Sequence, residues 1–223
     1  MSLFKGWFGE LKTTFNMWLT LDSEIYHRFH GLIIPSKNGT TQIDHLVVSE
    51  FGVFIIETKN KKGWIFGSES QPNWTQVLYD QKYSFQNPLR QTFRQRKILC
   101  EFLELDESKV QTIVIFVGSS RFKTRMPENV IDSGLGAHIG RYDSQLFSSA
   151  EVNRLLLKLE DLQDEADLTM SDHRHSLDDR HASTTVCPKC GSKLVERTVK
   201  RGPQAGKVFL GCQAYPKCRF TRS

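Results

Sequence analysis

The run TQIDHLVVSEFGVFIIETK, Thr41 to Lys59, constrains this chain more than any other stretch. Two apolar segments rich in β-branched and aromatic residues meet at Glu50-Phe51-Gly52, so the run reads as two strands joined by a turn. Yet Asp44, Glu57 and Lys59 are set into its most hydrophobic parts. Side chains alternate along a strand, so Glu57 and Lys59 share a face. If Ser49 to Gly52 form the loop, Val48 pairs with Val53 and Asp44 falls opposite Glu57. A tighter turn at Phe51-Gly52 pairs Asp44 with Lys59 instead and leaves Glu57 diagonal to it. Either register gathers all three groups on one face.

Two carboxylates across a ladder repel and resist ionisation unless a cation lies between them. Lys59 can neutralise one of them. A divalent, oxygen-loving cation such as Mg2+ can hold both, and there it can activate water and stabilise charge on a phosphodiester. A structural Asp-Lys-Glu ion network at a sheet end explains the same residues. Gln42 shares the Asp44 face by parity; His45 points to the other face and is assigned no role.

The flanking sequence supplies cover for such a hairpin. Phe4, Trp7, Phe8, Leu11, Phe15 and Trp18 recur at the three-to-four-residue steps of an amphipathic helix. Asn38-Gly39 is a good hairpin turn, and KGWIFGS offers one short strand. Residues 87–105 have helical periodicity, with Pro88 where a first turn tolerates it. VQTIVIFVG, Val110 to Gly118, is nearly all apolar, as in a strand covered on both faces. A short strand near Asn129 to Asp132 and a helix near Ser148 to Leu162 complete an α/β order. With 223 residues, the chain has room for one such domain and an appendage. No run reaches the roughly 18 apolar residues of a membrane span, and a signal peptide's continuous apolar core is missing. A soluble, cytoplasmic protein with no membrane partner is expected.

The net charge of +5 is unevenly spread. From Thr184 onward nine Lys or Arg face the single Glu196, whereas Lys158 to His181 carries eight acids and three bases. The acidic stretch lacks apolar periodicity and reads as a linker. The basic tail suits a polyanion, nucleic acid above all. It also carries Cys187, Cys190, Cys212 and Cys218, two thiol pairs separated by a hairpin-sized spacer. That spacing suits tetrahedral zinc, whose binding would fold a segment too short to fold on apolar burial alone. Two disulfides are the rival arrangement; Cys100 alone on a helix and the lack of any mark of secretion oppose it. Arg197, Lys200, Arg201, Lys207, Lys217 and Arg219 can neutralise phosphates, and Phe209, Tyr215 and Phe220 can stack bases. Phe209 and Phe220 can instead fill the ribbon's small core, the role expected of Phe209.

Two resemblances sharpen these readings. Val186 to Arg222, with Cys-Pro-x-Cys-Gly and the ending GKVFLGCxxYPxC, resembles the C-terminal zinc fingers of bacterial type IA DNA topoisomerases. It implies a zinc ribbon that binds DNA with single-stranded character. Gly9-Glu10, the Thr40 to Gly67 stretch, Asn73-Trp74 and NPLRQ at Asn87 to Gln91 resemble the nuclease-related domain (NERD) family of the PD-(D/E)XK nucleases. That resemblance implies a restriction-endonuclease-like mixed sheet flanked by helices. It further implies that Asp44 and Glu57 bind Mg2+ or Mn2+ with the Thr58 carbonyl, and that Lys59 orients water or the scissile phosphate. Glu10 becomes an added acidic group, while Gln42 and Gln91 position water or phosphate.

The expected organisation is a nuclease-related domain over residues 1–163, an acidic linker over 164–185 and a zinc ribbon over 186–223. The expected function is Mg2+-dependent hydrolysis of DNA phosphodiester bonds. The alternative is a non-catalytic DNA-binding or DNA-repair accessory protein that retains a nuclease-like fold.

Overall fold

The computed structural model describes residues 21–36, 39–164, 175, 177–179, 182–216 and 218–222. The expected N-terminal helix with Glu10, Asn38 of the expected turn, Lys217 and much of the expected linker lie outside the described residues. The chain divides into two compact units, one of residues 1–34 and 42–165, the other of residues 35–41 and 166–223.

A five-stranded mixed sheet forms the centre of the first unit. Its strands are β1 (His27–Ser36), β2 (Gly39–Ser49), β3 (Gly52–Lys59), β7 (Val110–Phe116) and β9 (Val130–Ile131), in the order β1-β2-β3-β7-β9. β2 and β3 pair antiparallel, while β3–β7 and β7–β9 pair parallel. A parallel neighbour requires a crossover, and helix α1 (Pro88–Leu103) lies on that path. Val53 and Ile55 of β3 pack with Leu99, Cys100 and Leu103 of α1 and with Leu155 and Leu159 of α3 (Ser149–Asp164). Phe54 and Ile56 point the other way, into Ile113, Ile115 and the short helix α2 (Leu135–Ile139). The α/β architecture with a mixed sheet and flanking helices, expected from the sequence, is thus present.

A second sheet was not expected. β4 (Gly63–Phe66), β5 (Asn73–Leu78), β6 (Gln81–Gln86) and β8 (Ser120–Phe122) form four strands in the order β6-β5-β4-β8. Only β4 stands out in the sequence, because residues 73–86 are largely polar and Tyr79 turns the chain at a positive φ of 52° with no glycine to announce it. The sheet's inner face buries Ile65 and Trp74 against Val114 and Phe116 of β7. Gly67 is pressed so closely onto the Trp74 indole that no side chain fits there.

The second unit contains a three-stranded antiparallel sheet of β10 (Leu194–Thr198), β11 (Val208–Cys212) and β12 (Thr221–Arg222). Among the described residues, no helix is long and apolar enough to cross a membrane.

Candidate active site and metal centre

The β2–β3 ladder settles the register. Ser49 pairs with Gly52, Val48 with Val53 and His45 with Ile56, so the next step outward sets Asp44 against Glu57. The hairpin end is tied by the Thr58 backbone N–H, which donates to Asp44 Oδ2 at 3.1 Å. Glu57 is 2% exposed and lies on the face that α1 covers, beyond Val53 and Ile55. A carboxylate buried that deeply needs partners for both oxygens. Lys59 Nζ donates to Oε1 at 2.5 Å, and Gln95 Nε2 donates to Oε2 at 2.9 Å. Lys59 also donates to Gln91 Oε1 at 3.0 Å.

Helix α1 therefore does more than cover the sheet. Gln91 and Gln95 are one turn apart and reach the same carboxylate–ammonium pair. Gln95, itself buried, also donates to the Gln42 carbonyl at 3.0 Å and so joins β2 to β3 through the helix. Gln42 enters this network through its backbone. Sequence reasoning missed Gln95; its four-residue spacing from Gln91 on a helix that packs over Glu57 was the available signal.

The placement of α1 is fixed at its first residue. Asn87 caps the helix by accepting from the Leu89 N–H at 2.9 Å, and Pro88 follows at the first helical position. The same buried side chain donates from Nδ2 to the carbonyls of Ser68, Glu69 and Gln71. Trp74 Nε1 donates to Ser68 O as well, at 2.9 Å. Asn87 and Trp74 thus lock one loop to the start of the helix that carries Gln91 and Gln95. Beside Lys59, burial first and the Lys59 charge second hold the Lys61 ammonium below its ordinary pKa. Lys61 thus stands as a second cation beside the ion-paired Lys59.

His45 is on the opposite face, in the Ile56 row, as parity requires. Its Nδ1 lies 2.7 Å from Nδ1 of His30, with the rings edge to face. One ring must present a lone pair and the other an N–H. Burial, and then His30, push His45 down to about 4.

In the second unit the four cysteine sulfurs all lie within 4.8 Å of one another. Cys187 and Cys218 Sγ are 3.8 Å apart and Cys190 and Cys212 Sγ 3.3 Å. Tetrahedral zinc with Zn–S bonds of about 2.3 Å sets neighbouring sulfurs roughly 3.8 Å apart, so the donor set fits Zn2+. Each thiol pair sits on a tight turn: the Gly191 N–H donates to Cys187 O, with Gly191 at φ 76°, and the Cys218 N–H donates to Ala214 O. Burial pushes the Cys212 thiol up to about 12, so a thiolate there calls for a nearby cation.

Phe220 packs against the cysteine cluster, whereas Phe209, expected in that core, does not, because strand parity turns it to the other face. Phe209 pairs with Arg197, and Val195 with Gly211, on the face away from the Leu194–Cys212 row. On that face the Arg197 guanidinium stacks 5.7 Å from the Tyr215 ring, which is 60% exposed. Lys200, Arg201, Lys207 and Arg219 are exposed around the same small sheet.

Residues 5–117 match the nuclease-related domain, and residues 184–223 match the topoisomerase DNA-binding C4 zinc finger. This chain belongs to the nuclease-related domain family. An uncharacterized Bacillus anthracis protein is 45% identical over 96 residues, covering 43% of this chain and 45% of that protein. The uncharacterized Escherichia coli protein YrdD is 53% identical over 36 residues, 16% of this chain and 17% of its own length. DNA topoisomerase 1 of Methanothermobacter thermautotrophicus is 49% identical over 37 residues, 17% of this chain and 4% of that enzyme. The matches span less than half the length of each of these relatives. No solved structure matches the chain. A nuclease-related domain and a DNA-binding type of zinc ribbon thus occur in one nuclease-like chain.

Proposed function

We propose that this nuclease-related protein hydrolyses DNA phosphodiester bonds with a Mg2+ or Mn2+ ion held by Asp44 and Glu57. The observation that carries this reading is the convergence of both carboxylates, the Lys59 ammonium and the Gln91 amide at one end of the β2–β3 hairpin. Two carboxylates with the Thr58 carbonyl form a hard oxygen set suited to such an ion. When bound, the ion supplies positive charge for a phosphate oxygen and makes a water molecule more acidic. Lys59 then exchanges its contact with Glu57 for the attacking water or the scissile phosphate, and Gln91 keeps the ammonium in place. Gln95 holds the Glu57 carboxylate in one orientation. Glu10 adds an acidic group, and Gln42 helps position water or phosphate.

In the ribbon, Arg197, Lys200, Arg201, Lys207, Lys217 and Arg219 grip phosphates and Tyr215 stacks on an unpaired base, favouring DNA with single-stranded character. The domains are 1–163 and 186–223, joined by an acidic tether over 164–185 that raises the local concentration of bound DNA.

The test is a cleavage screen over single-stranded, duplex and branched DNA and RNA with Mg2+ or Mn2+. Cleavage that Asp44→Ala and Lys59→Ala both abolish is expected; no such cleavage of any substrate overturns the proposal. The closed contact between Lys59 and Glu57 favours a second reading, a non-catalytic DNA-binding protein in which these residues form a structural ion network. Calorimetric titration of Mn2+ separates the two: the nuclease binds it and Glu57→Ala does not, whereas a structural network binds it in neither.

A further inference from the structure

The geometry points to a second nucleic-acid surface, on the outer face of the four-stranded sheet, that stacks an unpaired base of a single strand on Trp64. Parity separates the two faces of this sheet, although Tyr83, in the inward row on the edge strand, is 51% exposed. Ile65, Trp74 and Phe122 point inward to the core. Trp64 points out and is 49% exposed. It pairs with Arg121 on one side and Val77 on the other, and Val77 pairs in turn with Lys82. Arg121, Trp64, Val77 and Lys82 therefore form one outward row across all four strands, roughly 14 Å from end to end at normal strand spacing. The next outward row, Phe66, Thr75 and Ser84, adds two hydroxyls.

The four strands carry side-chain charge of one sign, and the nearest acid in sequence is Asp80 in the β5–β6 turn. No Asp or Glu lies on any of the four strands, while Lys82 and Arg121 are exposed at opposite edges. Lys123 places its ammonium 4.5 Å from the Trp64 ring centroid, which adds a third cation and steadies the indole. At the β5–β6 turn, Tyr79 projects with 90% exposure. An exposed aromatic between cations on an open sheet face matches what a single strand needs: a platform for a base, flanked by charges for its phosphates. A duplex offers no unpaired base to such a ring. The surface is separate from the Glu57 centre and stands whether or not that centre cleaves.

The test is binding of the full chain to a fluorescent oligo(dT) and to a matched duplex, without added Mg2+ or Mn2+, at several salt concentrations. Each variant is made in the wild type and in an Arg197→Gln/Tyr215→Ala background, so that the ribbon's share is separable. Trp64→Ala is expected to weaken oligo(dT) binding roughly tenfold and Trp64→Phe much less. Lys82→Gln/Arg121→Gln is expected to reduce the slope of log K against log salt by about 1.4, near 0.7 for each lost phosphate contact. All three side chains are exposed, and unchanged thermal melts confirm that the variants fold. The proposal is overturned if Trp64→Ala binds oligo(dT) as the background does, if the slope is unchanged, or if only duplex binding falls.

Discussion

Lys59 places its ammonium 2.5 Å from the buried carboxylate of Glu57, two residues earlier on the same strand. The lysine supplies the counter-charge that a buried carboxylate needs, so it stabilises the fold; on the proposed nuclease reading a divalent cation can take over that part. Removing it leaves a carboxylate buried with only Gln95 as a hydrogen-bond donor. Lys59→Met should therefore destabilise the protein by roughly 2–3 kcal/mol, less than a fully buried pair because Lys59 is partly exposed. Millimolar Mn2+ should restore part of that loss in Lys59→Met and none of it in Lys59→Met/Glu57→Gln. Urea melts with and without Mn2+ measure both effects; equal responses in the two variants would remove the cation from the account.

Gln95 acts through Glu57. Its one amide nitrogen serves both the carboxylate and the Gln42 carbonyl, so Gln95→Leu strips two buried acceptors at once. A cost of roughly 2–4 kcal/mol is expected, the sum of two lost donors in a buried site. Gln95→Glu should be worse at neutral pH than at pH 5, because a second carboxylate facing Glu57 must hold a proton. Denaturant melts at both pH values check the sign. A change in the Mn2+ dependence of any cleavage would mark Gln95 as a positioning residue and not merely a packing one.

Much of this could be read from the sequence because the informative residues obey strict periods. Period two placed Asp44, Glu57 and Lys59 together, and the observed Ser49–Gly52 pairing is one of the two registers that allow it. The nearly all-apolar Val110–Phe116 run announced a central strand, since both its faces are covered. What failed to show was the rest of the second sheet, β5, β6 and β8, where at least half of each strand is polar. Its stability comes from a few distant contacts, Trp74 on Phe116 above all, which no local pattern reveals. Gln95 was invisible for a related reason: a glutamine inside a helix looks solvated until the helix is docked on a carboxylate.

The zinc ribbon has a core of only Cys187, Leu194, Cys212 and Cys218, with Leu210, Ala214 and Phe220 packed around it. So small a core cannot hold three short strands without the metal, whose binding is then the folding free energy of the segment. The purified chain should carry one zinc per molecule by elemental analysis. Chelation, or Cys212→Ser, should abolish amide protection over β10 and β11 in hydrogen exchange and weaken DNA binding in parallel. Ribbon amides that stay protected after zinc has been stripped would count against the assignment.

The His30–His45 pair should make the first unit sensitive to acid. Burial and the neighbouring ring hold His45 down to about 4, against an ordinary value of 6.5. Burial, and then Arg28, lower His30 as well. The unfolded chain therefore takes up protons on these rings at a higher pH than the folded one does. Their contribution is fully present above pH 6.5, falls as the pH drops towards 4, and changes little below that. Between pH 6.5 and 5, before most carboxylates titrate, His45 alone should cost about 2 kcal/mol. His45→Gln, which cannot take up that proton, should flatten this part of the stability profile while lowering stability at pH 7. Urea midpoints at half-unit pH steps measure the slope; a variant slope equal to wild type would place the acid sensitivity elsewhere.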